Sequence, residues 1–419
     1  MTTVGIEALN IFAGTCYLDV EKLANHRGLD TARFDNLLMK EKTVALPYED
    51  PVTFGVNAAK PLIDALSPEE RDSIELVITA TESAFDFGKS MSTYFHDLLG
   101  LNRNCRLFEI KNACYSGVAA LQTAANFILS GTSPGAKALV IATDITRFMV
   151  ADGGDALSED WSFAEPSGGA GAVAMIISDT PHVFQIDVGA SGYYGHEVMD
   201  TCRPLPDSEA GNADLSLLSY LDCCENSFRE YQRRVGDVDL VSTFGYLAFH
   251  TPFGGMIKGA HRNLMRKIAK ASPAAIEEDF QRRMHPGLTY CQRVGNVMGA
   301  TTMLSLASTI DNADLSSPQR IGVFSYGSGC CSEFFSGVSR QEGQDRTRGL
   351  GMEKHLGSRY ELTMPEYEAL LQANHAVKFG TRNAVLNTGI VPQARTALGR
   401  ELLFLKQIDE FHREYQWVS

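Results

Sequence analysis

The chain has 419 residues, 44% of them hydrophobic and 21% charged, a globular composition that gives no reason to invoke long disorder. The formal net charge of -14 argues against nucleic acid or anionic lipid as the main partner of this surface, and no apolar run approaches the roughly 18 residues of a membrane helix. The opening MTTVGIEALN lacks the basic start and greasy core of a signal peptide, so a cytoplasmic location is expected.

Taken in chain order, ELVITATE (75–82) and RLFEI (106–110) read as buried strands, followed by an apolar helix, GVAALQTAANFILSG (117–131), sandwiched inside the protein. AKALVIATD (136–144) and AGAVAMIIS (170–178) are two more strands. Amphipathic helices are expected at LSLLSYLDCCENSFREYQRRV (215–235) and at MIKGAHRNLMRKIAKA (256–271), the second with a basic face. A strand YLAFH (246–250), a turn VGN (294–296), an apolar helix VMGATTMLSLASTI (297–310) and a strand RIGVFSYGSG (320–329) then repeat the order of the first half. The alternation favours sheets covered by helices, and the repetition an internal duplication: residues 1–180 and 181–340 form two equivalent halves around one site. Beyond residue 340 the charged, glycine-bearing stretch 341–359 is expected to link to a last helical element ending in FLKQIDEFHREYQWVS, so that 341–419 is a partly helical extension.

Nine cysteines is an odd number, and the adjacent pairs Cys223–Cys224 and Cys330–Cys331 lack the spacing of a zinc clamp or a redox CxxC motif. Free thiols are expected, most of them plain buried hydrophobes. Cys114 stands apart. In KNACYSG it sits between a strand and the start of a helix, where the helix dipole and unpaired amides favour thiolate and offer an oxyanion site, although taken alone it reads equally as a plain buried cysteine.

Glu82 ends an apolar strand, where a buried carboxylate with a raised pKa suits proton transfer; emergence of the strand into solvent would explain it equally. His250, in LAFHTPFGG, follows an apolar strand in the same way. The glycine-rich turns GNVMGATT (295–302) and SYGSGCCSE (325–333) can bring backbone donors to a ligand, though glycine there also serves the turn itself. The duplication places Glu82 and His250 at equivalent strand ends, and Cys114 and Asn296 at equivalent turns. Four chemically competent residues at matched positions make one site the economical reading.

EIKNACYSG, VITATES, LAFHTPF, GGAGAVAMI, VGNVMGATT and FSYGSG together resemble the signature blocks of the 3-hydroxy-3-methylglutaryl synthases, from about residue 3 to residue 340. LPYEDPVTFGVNAAKPLIDAL and VMDTCRPLPDSEAGNADLSLLSYLD are most similar to the acyl-carrier-protein-dependent branch, which serves β-branching in polyketide assembly. The resemblance implies a thiolase-like α/β fold layered αβαβα. It implies acetyl transfer from an acetyl-acyl carrier protein to Cys114, deprotonation of the acetyl methyl by Glu82, and attack on the β-ketone of a chain on an acceptor carrier protein. His250 with Asn296 would hold and protonate the alkoxide, while Tyr326, Gly327 and Ser328 would contact substrate. The product is a carrier-bound 3-hydroxy-3-carboxymethyl acyl chain. The 4'-phosphopantetheine belongs to the carriers, no cofactor or metal is needed, and a homodimer is expected by analogy.

One position departs from the family. Coenzyme-A-dependent members carry a lysine where this chain has Gly255, which fits a carrier-protein donor, although Lys258 lies close enough to compensate. Acidic carriers need a local basic surface, and Lys258, Arg262, Arg266 and Lys270 recur every four residues as a candidate docking stripe or a solvated face. The neighbouring readings are a hydroxymethylglutaryl-coenzyme A synthase of primary metabolism and a chain-initiating β-ketoacyl synthase. The latter lacks the glutamate and uses a malonyl donor. A catalytically silent scaffold for carrier domains is disfavoured by the intact Cys114, Glu82 and His250.

Overall fold

A computed structural model describes residues 3–30, 34–146, 164–205 and 208–419. Pro206 and Asp207 of the PLPDSE stretch lie outside the described residues. Nine strands form one continuously hydrogen-bonded sheet: β1 (Gly5–Phe12), β2 (Ile74–Ala80), β3 (Arg106–Ile110), β4 (Lys137–Ile145), β5 (Ala170–Ser178), β6 (Phe184–Gly195), β7 (Tyr246–Phe249), β8 (Gln319–Gly327) and β9 (Cys331–Ser339). Their order is β7-β8-β9-β6-β1-β5-β4-β2-β3, with β1 and β6 meeting at only Gly5↔Gln185 and Ile6↔Phe184. Two half-sheets therefore touch at a narrow seam.

From that seam outward the two halves follow the same rule. β1 runs antiparallel to β5, β5 antiparallel to β4, and β4 parallel to β2; β6, β9, β8 and β7 repeat these relations. The first half adds β3 at its edge, parallel to β2. Strands buried on both faces read as continuous apolar runs, and all nine residues of β5 are buried.

Helix α1 (Pro51–Asp64) covers the outer face of β1, β5 and β4, and α3 (Ala213–Val235) that of β6 and β9. Between the half-sheets lie α2 (Ser116–Leu129) and α5 (Thr301–Asn312), giving five layers. The two inner helices begin so close that a β-carbon on Gly117 would stand 2.1 Å from the carbonyl oxygen of Gly299. These glycines occupy matched positions, each three residues after Cys114 and Asn296. Only glycine permits that approach.

Two expectations for the C-terminus need correction. Residues 341–359 are no bare link, because they carry the helices Gln341–Gly349 and Met352–Gly357. Gln344 donates to the carbonyls of Ile310 and Ala313, and His355 Nε2 accepts from Ala13 N, so the segment is seated on both halves. FLKQIDEFHREYQWVS is not helical: it forms a hairpin of β10 (Leu402–Asp409) and β11 (His412–Val418). Glu410 and Phe411, both at positive φ, make the tight turn that matches hairpin twist. Arg413 and Tyr415, spaced by two, both donate to Asp50 Oδ2, while Asn57 exchanges two hydrogen bonds with Leu403.

Candidate active site

The turn that carries Cys114 is built from strain and glycine. Ala113 sits at φ 45°, a left-handed conformation that costs a non-glycine residue about 1 to 3 kcal/mol, and it turns the chain so that Cys114 precedes α2. Tyr115 Oη and Gln122 Nε2 both donate to Glu333, at 2.7 and 2.9 Å, tying turn and helix to β9. Gly327 faces this turn from the end of β8, where a β-carbon would lie 2.8 Å from Asn112 O and 2.9 Å from Tyr115 N. Its role is close approach.

Glu82, two residues beyond β2, is fixed by a carboxylate that sequence reasoning missed. Asp144, fully buried near the end of β4, accepts from Glu82 N at 2.7 Å, Thr81 Oγ1 at 3.0 Å and Ser83 Oγ at 2.8 Å. Its other oxygen accepts from Gly299 N at 3.0 Å, which joins the glutamate loop to the second half of the chain. Burial pushes the Asp144 carboxyl up to about 6, against the pull of these donors and of Arg203. Arg203, also missed, donates to Glu82 O at 3.0 Å and stands 4.0 Å from Glu82 Oε2.

His250 directly follows β7 and is 1% exposed. Its backbone is held by His250 N to Phe324 O at 2.8 Å and by Tyr220 Oη donating to its carbonyl at 2.6 Å. Burial lowers its pKa to about 3, so the ring is neutral at physiological pH. Among the described residues its Nδ1 has no hydrogen-bond partner.

Asn296 is oriented by its own turn. Its Oδ1 accepts from Met298 N at 3.0 Å and Thr301 Oγ1 at 2.9 Å, which leaves the Nδ2 amide as the group to serve a ligand. Tyr326 Oη donates to the buried Asp200 at 2.5 Å, and Gly329 N donates to the other oxygen of that carboxylate at 2.9 Å. Asp200 thereby shapes the 326–329 turn, a third residue the sequence did not single out.

Glu82, Cys114, His250, Asn296, Tyr326 and Ser328 line one cavity of about 1290 Å³. Its mouth includes Asn36, Phe87, Lys89 and Phe108. The volume exceeds the usual 300–1,000 Å³ of small-ligand sites and suits a long, flexible arm.

The proposed basic stripe is only partly assembled. The helix that carries it, α4, spans Gly254–Lys267, and Met256 in its first turn lines the cavity. Arg262 and Arg266 are exposed on it. Lys258 is turned to Glu277 at 2.9 Å and lies over the Phe280 ring. Lys270 falls past the helix end at φ 54°, so the four-residue spacing does not carry it onto the same face. At Gly255, a β-carbon would stand 2.0 Å from Asn36 O. A lysine does not fit there unless the turn around Asn36 moves.

The family description "Hydroxymethylglutaryl-coenzyme A synthase N terminal" matches residues 1–181, and its C-terminal counterpart matches residues 262–417. The chain is 65% identical, over the full length of both, to the polyketide biosynthesis 3-hydroxy-3-methylglutaryl-ACP synthase PksG of Bacillus subtilis. It is 33% identical to a hydroxymethylglutaryl-CoA synthase of Enterococcus faecalis, over 88% of this chain and 91% of that one. Among solved structures, the curacin biosynthetic pathway HMG synthase in complex with apo donor-ACP superposes with a TM-score of 0.95 at 62% identity, covering 99% of this chain and all of that one. MvaS in complex with 3-hydroxy-3-methylglutaryl coenzyme A gives 0.84 at 28% identity, with full coverage of both.

Proposed function

The chain belongs to the hydroxymethylglutaryl-coenzyme A synthase family, and from that premise we propose that Cys114, Glu82 and His250 carry out a carrier-protein-dependent acetyl transfer and condensation. The enzyme is a hydroxymethylglutaryl-synthase-like acyltransferase of thiolase fold, acting with acyl carrier protein in polyketide β-branching. The observation that carries the residue roles is the single cavity shared by Glu82, Cys114, His250 and Asn296.

Cys114 attacks the donor thioester, taking the acetyl group and releasing the carrier's phosphopantetheine thiol. Glu82 then removes a proton from the acetyl methyl, and backbone amides at Cys114 and in the 325–329 turn hold the enolate oxygen. The enolate carbon attacks the β-ketone of the acceptor chain. A neutral His250 suits the next step, because an uncharged imidazole N–H polarises a carbonyl without being neutralised by the oxyanion. His250 and the Asn296 amide hold the ketone oxygen while it gains its proton, which the enolisation has already delivered to the site through Glu82. Water finally hydrolyses the thioester to Cys114, freeing the carboxylate of the product and restoring the thiol.

Gly255 supports the carrier-protein branch over a coenzyme A donor. Asn36 O fills the space a lysine would need, so position 255 supplies no cation for a nucleotide phosphate, and the nearby Lys258 is paired with Glu277. Donor and acceptor carriers use the one cavity in turn, with Arg262 and Arg266 meeting their acidic surface. The halves 1–180 and 181–340, with 341–419 as an extension, are our division of the chain, supported by the mirrored strand order. A homodimer through the β3 edge fits its single strand partner and the exposed Phe108. A cytoplasmic location fits nine cysteines with no disulfide among the described residues.

Intact-protein mass spectrometry after incubation with acetyl-carrier protein tests the first step. One acetyl group should appear on the wild type and none on Cys114→Ala. An unmodified wild type beside intact donor would defeat the proposal, and a panel of carrier-bound against coenzyme-A-bound donors decides the branch.

A further inference from the structure

The two cysteine pairs have no clamp spacing in the sequence, but the fold brings one member of each together. Cys223 Sγ, from α3, lies 3.4 Å from Cys330 Sγ, which lies 3.6 Å from His196 Nδ1 and 3.9 Å from its Nε2. The three ligating atoms are all within 4.8 Å of one another. We propose that His196, Cys223 and Cys330 form a binding site for a thiophilic divalent cation, zinc above all, separate from the catalytic cavity.

The distances carry the assignment. In a tetrahedral zinc site with Zn–S near 2.3 Å and Zn–N near 2.0–2.1 Å, two sulfurs stand about 3.8 Å apart and a sulfur and a nitrogen about 3.5 Å apart. The two contacts of Cys330 are within a few tenths of an ångström of these values. The remaining leg, between His196 and Cys223, lies within 4.8 Å, and the His196 ring is exposed.

The backbone around the cluster is already fixed. Gly195 and Cys331 are register partners where β6 and β9 meet, so His196 and Cys330 are the next residues beyond a formed ladder. Two further bonds hold the strands there, Cys330 N to His196 O at 2.6 Å and Val198 N to Gly329 O at 2.7 Å. Cys223 is buried where α3 packs on these strands. Scaffolding of this kind lowers the ordering cost of a metal site.

Binding is written Zn²⁺ plus two thiols and one imidazole, giving a neutral bis-thiolate centre and two released protons. No oxidant is involved. His196 is exposed, so the fourth position is open to water. Cys330 lies two residues after Ser328, which lines the cavity, and an occupied site would fasten this turn to α3.

The test uses the full-length enzyme, reduced and stripped by a chelator, then titrated with Co²⁺ as a spectroscopic probe and with Zn²⁺ by competition. One equivalent of Co²⁺ should produce a thiolate charge-transfer band that Zn²⁺ abolishes. Because two protons leave, affinity should rise about a hundredfold per pH unit while both thiols are protonated in the free enzyme. Cys223→Ser and Cys330→Ser should remove the band, and His196→Ala should weaken binding at least about tenfold. Cys331→Ser and Cys114→Ser should keep it. Metal-free melting curves of the variants, with the exposed His196→Ala as the mildest change, separate lost binding from lost folding. Absence of the band, its survival in Cys330→Ser, or its loss in Cys114→Ser overturns the proposal.

Discussion

At the scale of single residues, the site is braced by carboxylates, Asp144 and Asp200, that are not among the residues lining its cavity. Asp144 gathers donors from Thr81, Glu82, Ser83 and Gly299, and bonds to a charged acceptor contribute about 1.5–3 kcal/mol each. Asp144→Asn should slow the enolisation proposed for Glu82 by about a hundredfold, with acetylation of Cys114 affected less. Exchange of the acetyl methyl protons with deuterated water separates the two steps; equal losses would show that Asp144 serves the whole fold instead. His250 makes a stability prediction. Its folded pKa, lowered to about 3, lies below the ordinary value of 6.5, so only the unfolded chain gains the proton as pH falls. Stability due to its burial is complete above 6.5 and declines below it by about 1.4 kcal/mol per pH unit. Asp144 has the opposite sign: its raised pKa favours the fold at low pH, a benefit lost as pH rises through about 6. Denaturant titrations of wild type and His250→Asn isolate the histidine, and the advantage of the variant should grow by about 2 kcal/mol between pH 6.5 and pH 5. A constant gap would mean that the ring protonates in place.

At the scale of elements, the contact between the starts of α2 and α5 is a second place where small changes are costly. Gly117→Ala drives a methyl group against Gly299 O, a backbone atom, and should cost about 3 kcal/mol or more. Gly299→Ala meets the Ser116 hydroxyl instead, which can rotate, and should cost less. Melting temperatures in the reverse order would refute this account. What the sequence made legible follows from the same geometry. Strands β3 and β5 fall on their expected residues, 106–110 and 170–178, because β-rich runs end in sharp punctuation there. That Glu82, Cys114, His250 and Asn296 gather at one cavity was legible because the duplication repeats their settings. Asp144, Asp200 and Arg203 were not, since their partners come from other parts of the chain and leave no local pattern. The C-terminal hairpin was missed for a related reason: Leu402 to Leu405 are all buried, so the run shows no alternation, and the period of two survives only in Arg413 and Tyr415. Gly255 carries its own prediction. Gly255→Lys should lower the melting temperature through the clash with Asn36 O and leave turnover with acetyl-coenzyme A no better; improved turnover would show that the turn yields.

At the scale of the whole molecule, an enzyme of net charge -14 must bring acidic carriers to one cavity mouth. General electrostatics oppose the encounter, so productive docking depends on local charge that outweighs the mean field at short range. Arg262 and Arg266 would meet that need in the proposed docking, lying exposed on a helix whose first turn lines the cavity, whereas Lys258 pairs with Glu277 and Lys270 lies past the helix end. The four basic residues should therefore differ in effect. Arg266→Glu should raise KM for acetyl-carrier protein about tenfold at low salt with kcat unchanged, and Lys270→Glu should do much less. In 1 M salt the Debye length shrinks to about 3 Å and the difference should largely vanish. Acetylation by a small pantetheine thioester, which has no acidic surface, should be the same in Arg266→Glu as in wild type. Unequal rates with that small donor would place the arginine's effect inside the cavity and remove it from the docking surface.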